Sequence, residues 1–490
     1  VSEARTALDR PPAWAADAVF YQIFPDRFAR SPHVPKPTNL EEWDSPPTRH
    51  GYKGGDLLGV VERLDWLTDL GINAIYLNPI FQSASNHRYH THDYYRVDPL
   101  LGGDEAFEVL LAACHQRGIR VILDGVFNHA SRGFFQFNDI LENGFDSPWV
   151  EWFTINGLPL NPYRKGVPPN YHAWWGNPAL PKFNTNHPDV REYLMSVAEY
   201  WTGRGIDGWR LDVPGEITTA GFWEEFRTRV RAINPDAYLV GEIWGEATAW
   251  LNRGDRFDAA MNYLFAGKTL AFVAGDRVDP GLSDHVDYPI SPPIDASEYG
   301  ETMEALLALY PDHTTRSNFN LLGSHDTARS LTVVGGDVDS VVLAAVLLFT
   351  HPGAPCVYYG DEVGMTGGKE PESRGSFPWD KKESWNHRIL DTYRTLIALR
   401  RTHVAFSHGS YRRLPTPPGS DLYAFVREAG PEQLVVAANA GQKAATVSVQ
   451  DPTAGEHLET LWGTGEIRRD GRLLQMTVPP RSGAVWRARL

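Results

Sequence analysis

Between residues 18 and 359, short apolar segments alternate with amphipathic ones, and this alternation constrains the fold more than any other feature of the chain. Apolar runs that read as strands fall at 18–24, 72–77, 119–123, 208–213, 237–243, 257–263, 318–323 and 356–359. Helical spacing of apolar residues occupies 60–67, 106–116, 190–203, 222–233, 338–350 and 389–401. Gly71 and Gly118 close the first two helices. Strands separated by helices pair in parallel, and eight of them predict an α/β chain folded as a (β/α)8 TIM barrel.

Two regions break the rhythm. Residues 130–187, after the third strand, are dominated by Gly, Pro, Asn and aromatic residues and carry no long helical pattern. This is too long for an ordinary connection, so it reads as an inserted irregular domain B. Beyond residue 404, strand patterns at 422–426, 433–438, 445–449 and 484–487 follow one another without helices, which predicts a C-terminal all-β sandwich. The expected division is a barrel over 1–129 and 188–403, the insertion over 130–187 and the sandwich over 404–490. A chain of 490 residues is too long for a single core.

The net charge of −15 disfavours nucleic acid and anionic membrane as partners, and leaves neutral small molecules or neutral polymers. No apolar run approaches the ~20 residues of a membrane helix, and the first residues show no secretory leader, although a start at Val leaves a processed terminus open. Cys114 and Cys356 lie far apart in apolar surroundings and read as buried free thiols of a reducing compartment, so the expected location is cytoplasmic.

In a barrel of this kind, chemistry gathers where the strands end. The expected third strand ends at Asp124, followed by Asn128-His129. The fourth carries Arg210 and Asp212 on one face, the fifth ends at Glu242, and the seventh at Ser324-His325-Asp326. Singly, such acids cap helices or pair with cations; together they point to catalysis. The chain has neither a P-loop nor a dinucleotide-binding glycine pattern nor a cysteine-rich metal site. Glycoside hydrolysis needs one ionised and one protonated carboxyl astride the bond. Arg210 beside Asp212 is expected to lower its pKa and suit it to nucleophilic attack. The apolar context of Glu242 is expected to raise its pKa and suit it to general acid work. Adjacent strands would hold the pair about 5–5.5 Å apart, the retaining geometry.

These segments resemble the four motifs of the alpha-amylase family: 124–129 (DGVFNH), 208–213 (GWRLDV), 241–244 (GEIW) and 323–326 (GSHD). Within it the chain is most similar to neopullulanases, cyclomaltodextrinases and maltogenic amylases, with maltodextrin glucosidases nearby. Further carriers are 21–28 (YQIFPDRF), 54–57 (GGDL), 77–81 (LNPIF) and 180–184 (LPKFN). The resemblance implies a retaining hydrolase of α-1,4 bonds in maltooligosaccharides and cyclodextrins, with pullulan and glycosyl transfer as further candidates. It implies Asp212 as nucleophile, Glu242 as acid/base, and Asp326 as the carboxylate that binds sugar hydroxyls at the cleavage point. His129, His325 and the stacking Tyr89 would contact that sugar, Arg210 would orient Asp212, and Glu216 and Trp244 would meet the substrate. Asp124 and Asn128 would support the site. An exo-acting glucosidase, a transferase on the same scheme and a non-catalytic carbohydrate-binding barrel remain open alternatives.

Four departures stand out. The N-terminal β domain usual in that group is missing, so a monomer, or a dimer built some other way, is expected. The loop that holds calcium in that group reads Ala29-Arg30-Ser31-Pro32-His33-Val34-Pro35 here, poor in the oxygen ligands calcium wants. Gly55 and Asp56 of its second half remain; no cofactor is expected to be required, and calcium stays open although its loop looks degraded. Pro214-Gly215-Glu216 replaces the usual Ala-Asn-Glu, and His90 stands where an Asp is usual. His87, His90, His92 and Asp93 read as a sugar-binding loop, as structural packing or as a metal cluster. Tyr171, Trp174, Trp175 and Phe183 are candidate sugar platforms or simply pack the insertion. Arg374 is a candidate contact to distal sugars or an exposed ion pair.

Overall fold

A computed structural model describes residues 10–284, 290, 292–453 and 457–489. Eight strands, β1 (Phe20–Ile23), β2 (Ala74–Leu77), β3 (Arg120–Gly125), β4 (Gly208–Leu211), β5 (Tyr238–Gly241), β6 (Ala259–Asn262), β7 (Phe319–Asn320) and β8 (Ala354–Tyr358), form a closed barrel. All pairs are parallel, and β8 returns to β1 with Phe20 opposite Cys356. The register sets Asp124 opposite Arg210 and Leu211 opposite Gly241. The third, fourth and fifth strands therefore end level, and their terminal side chains converge. Strand β4 needs Gly208, because a Cβ there would lie 2.0 Å from the Tyr238 carbonyl oxygen.

The expected barrel is present, with informative differences. The fourth strand stops at Leu211 rather than 213, since Val213 turns left-handed (φ 34°). The sixth expected strand, 257–263, is shorter, and a helix over Tyr263–Ala274 follows it at once. That helix is apolar on nearly every side and almost wholly buried, so it shows no amphipathic period to reveal it. A second unexpected helix, Ala296–Ala308, is capped by Asp295, whose carboxylate accepts the Glu298 N–H at 2.8 Å.

The insertion holds one α-helix, Phe135–Asn143, three short 3-10 turns and otherwise irregular chain. The bridge His129 to Lys182 joins it to the barrel rim, and the bridge Phe153 to Phe183 ties it together internally. Phe134, Phe137, Phe153, Tyr171 and Phe183 are buried. Tyr171 and Phe183 thus pack the insertion, rather than offering a face to sugar.

The C-terminal region is two antiparallel sheets. One contains β9 (Ser410–Arg413), β10 (Leu422–Ala429), β11 (Glu432–Asn439), β16 (Ser482–Arg489) and β13 (His457–Gly463); the other contains β12 (Ala445–Gln450), β15 (Leu473–Val478) and β14 (Glu466–Asp470). Side-chain alternation divides the labour. Leu422, Ala424 and Val426 face the sandwich core with Val447, Leu474 and Met476, while Tyr423 and Phe425 join the barrel's core. Four of the eight strands, β9, β13, β14 and β15, are not expected from sequence; in β9 and β14 the charged residues show no apolar face. Two buried arginines tie the units together. Arg427 donates to the carbonyls of Thr350, Gly409 and Ser410, and Arg400 to those of Phe349, His351, Gly353 and Phe406. Several of these carbonyls end the helix Val338–Thr350, where the dipole favours cations.

Among the described residues, no helix is long and apolar enough to cross a membrane. Both cysteines are free and buried.

Candidate active site

Arg210 is the hub at the carboxyl rim. It is wholly buried, and its Nη1 donates to Asp124 Oδ1 and to Asp212 Oδ1, each at 2.9 Å. Its Nη2 lies 3.0 Å from Glu242 Oε2. Strand alternation puts Arg210 and Asp212 on one side, and register adds Asp124 and Glu242 from the neighbouring strands. Glu242 is held further by the Val213 N–H (2.9 Å) and by Trp244 Nε1 (3.2 Å). Trp244 in turn lies flat on Tyr263, with centroids 3.7 Å apart.

The electrostatics correct one expectation. Burial raises the Asp212 carboxyl well above its ordinary range and outweighs the downward pull of Arg210, and the charges of Glu242, Asp124 and Asp326 add to the rise. Glu242 is also raised, by burial first and then by Asp326, against Arg210. Asp124 is raised by burial. Three carboxyls share one guanidinium, so full ionisation is disfavoured and the cluster tends to keep a proton.

A second network holds His325, Tyr89 and Asp326. Gln22 donates Nε2–H to His325 Nδ1 (2.9 Å) and to Asn78 Oδ1 (3.0 Å). With Nδ1 accepting, His325 carries its proton on Nε2, which lies 2.6 Å from Tyr89 Oη and 3.2 Å from Asp326 Oδ2. Tyr89 donates to Asp124 Oδ2 (2.7 Å), which also accepts from Tyr76 (2.6 Å). Burial first, with Arg374 and Arg210 adding, lowers the His325 pKa well below its ordinary value and keeps the ring neutral. Gln22, Tyr76, Asn78 and Tyr263 were not singled out from sequence. For Gln22, a polar residue inside an apolar strand was the available signal.

Arg374 is neither exposed nor remote. It is 6% exposed and donates to Asp326 Oδ1 (3.2 Å) and the His325 carbonyl (2.9 Å), with Glu370 at 3.0 Å. It sits behind Asp326, which keeps 29% of its side chain open. Glu216 is half exposed and pairs with Lys182 (3.2 Å), reaching from the insertion across to the end of β4. His129 and Asn128 are buried at the end of β3, 3.2 Å apart through Nδ1 and Nδ2. The His87–His90 pair stacks edge to face. Among the described residues, no group of three or more His, Cys, Asp or Glu side chains could hold a metal ion.

The acids flanking the 29–35 loop, Asp26 just before it and Asp56 in its second half, already have protein partners. Asp26 accepts from Arg27 Nε (2.8 Å) and from the N–H groups of Lys53 and Gly54 (2.8 and 3.1 Å). Asp56, fully buried, accepts from the Ser31 and Gly59 N–H groups (2.8 and 2.7 Å) and from the ammonium of Lys36. The two carboxylates are thus engaged by cationic side chains and amides, not left for a hard cation.

A closed parallel barrel with a carboxylate cluster at its carboxyl rim, an insertion after β3 and a trailing β-sandwich defines a barrel glycoside hydrolase. The chain belongs to the alpha-amylase family: the alpha amylase catalytic domain matches residues 22–411. It is 41% identical to a cyclomaltodextrinase from Geobacillus thermopakistaniensis, over 97% of this chain and 78% of that one. It is 54% identical to the debranching enzyme of Nostoc punctiforme, with a TM-score of 0.90 over 97% of this chain and 99% of the other. It is also 40% identical to the cyclic α-maltosyl-(1→6)-maltose hydrolase of Arthrobacter globiformis, with a TM-score of 0.85 over 98% and 99%.

Proposed function

We propose that the protein hydrolyses neutral α-glucans by double displacement with retention, acting on α-1,4 bonds of maltooligosaccharides and cyclodextrins. The observation that carries this reading is the placement of Asp212 and Glu242 on the two terminal nitrogens of one guanidinium. Carboxyls tethered so closely fit direct nucleophilic attack better than attack by a water held between them.

In the first step Asp212 attacks the anomeric carbon, the glycosidic C–O bond breaks, and Glu242 gives its proton to the departing oxygen. In the second, Glu242 takes a proton from water, whose oxygen displaces Asp212 from the sugar. A sugar hydroxyl in place of water gives transfer. Burial of both carboxyls keeps a proton in the cluster, which this scheme assigns to Glu242, and Arg210 stabilises Asp212 as its charge returns. Asp326, steadied by Arg374 and His325, is suited to bind hydroxyls of the reacting sugar. No metal takes part in this scheme.

Action on α-1,6 bonds is a second reading. The similarity to a debranching enzyme and to a hydrolase of a cyclic maltosyl-(1→6)-maltose favours it. Time-resolved product analysis on maltotriose, maltoheptaose, β-cyclodextrin and pullulan tests both. Cleavage of β-cyclodextrin and maltose-rich products from maltoheptaose are expected; glucose alone from the outset would replace this reading with an exo-glucosidase. Release of panose or maltotriose from pullulan separates α-1,4 from α-1,6 action. Asp212→Asn is expected to lower turnover by at least about 10³-fold with the fold intact.

A further inference from the structure

Of the sixteen tryptophans, Trp175 alone is exposed, at 83%. It is not loosely placed. Its indole lies on Trp174, with centroids 4.6 Å apart and planes 16° from parallel, and Trp174 lies on His129 at 5.1 Å and 12°. His129 is buried five residues beyond Asp124. Three rings thus form a continuous stack from the catalytic rim into solvent.

The backbone fixes this arrangement. Trp174 N–H donates to the Leu180 carbonyl and Asn177 N–H to the Trp174 carbonyl, while Ala173 bridges Pro181 and His129 bridges Lys182. The tip carries two successive left-handed residues, Trp175 (φ 52°) and Gly176 (φ 66°). A bulky residue there costs free energy, and such strain gathers where a side chain must be aimed. A purely structural tryptophan would bury its outer face; this one leaves it in water. Trp174, between the two other rings, is only partly buried, while the outer face of Trp175 is covered by no other ring of the stack.

From these observations we infer that the outer face of Trp175 is a platform for a glucosyl ring of a bound α-glucan, beyond the rings held at the cleavage point. A flat pyranose face of axial C–H groups matches an indole face, and a neutral ligand suits an acidic protein. The inference rests on the α-glucan reading above and adds a chain-length-selecting site on the insertion.

The test compares Trp175→Ala and Trp175→Phe with the unmodified protein on maltotriose and maltoheptaose. Trp175→Ala is expected to lower kcat/KM for maltoheptaose about tenfold more than for maltotriose, through KM, the loss of one aromatic stacking partner. Trp175→Phe should recover most of that difference. In an Asp212→Asn background, the same substitution should weaken maltoheptaose binding about tenfold by calorimetry. Equal effects on the two substrates, or unchanged binding of maltoheptaose, overturns the platform while leaving the hydrolase reading intact. Failure of the unmodified protein to cleave either glucan overturns the hydrolase reading, and the platform with it.

Discussion

Val213 donates its backbone N–H to Glu242 Oε2 at 2.9 Å from a left-handed conformation, φ 34° and ψ 53°. The residue after Asp212 is therefore strained so that the end of β4 can grip the carboxyl at the end of β5. A β-branched side chain at positive φ costs about 1–3 kcal/mol, part of which the extra chain entropy of glycine would offset. Val213→Gly keeps the N–H and removes the strain. Its urea midpoint should correspond to a gain of about 1 kcal/mol, with the hydrolytic rate retained. A loss of stability would mean that the isopropyl packing outweighs the strain.

Burial raises both Asp212 and Glu242, and the proposed chemistry needs the first ionised and the second protonated. Activity should thus fall on the acid side as the cluster around Asp212 gains a proton, and on the alkaline side as Glu242 loses its own. A bell-shaped kcat/KM profile on maltotriose is expected, with both limbs above the pH range of solvated carboxyls, about 4. Glu242→Gln should cost about 10²–10⁴-fold on maltotriose. The loss should be smaller on an aryl maltoside whose leaving group needs no proton, and the alkaline limb should vanish. An unchanged limb would place the titrating proton elsewhere.

Arg374 grips Asp326 and the His325 carbonyl at once. Arg374→Ala should free Asp326 to rotate and lower kcat/KM by about 10–100-fold, the cost of misplacing a binding group. Arg374→Lys should rescue little, because one ammonium cannot reproduce the fork. A circular dichroism melt must show the fold retained. A change in melting temperature alone, with kcat/KM intact, would make Arg374 a packing residue.

Lys36 sets its ammonium on the buried carboxylate of Asp56, which also caps the helix Leu57–Glu62. Dialysis against a chelator should leave both activity and melting temperature unchanged. Lys36→Met should destabilise the fold by about 1–3 kcal/mol, because it strands a buried charge held otherwise by two amides. A fall in melting temperature on chelation, restored by calcium, would contradict this assignment.

The sequence by itself determined the barrel, the insertion, the sandwich and the rim positions of Asp124, Arg210, Asp212, Glu242 and Asp326. Period-two and period-3.6 patterns specify strands and helices locally, and residues at strand ends project to one rim whatever the packing details. It could not reveal the helix Tyr263–Ala274, whose uniform apolarity carries no period, nor the charged edge strands of the sandwich. Tertiary structure alone decided how the charges balance. Arg210 serves three carboxyls rather than one, so burial and crowding prevail over the single ion pair that the Arg-x-Asp spacing suggested. It also decided that Arg374 lies behind Asp326, that Lys36 reaches Asp56 from twenty residues away in sequence, and that His129, Trp174 and Trp175 form one stack. These are contacts between segments distant along the chain. Their energies depend on burial and mutual distance, quantities that exist only after the chain has folded.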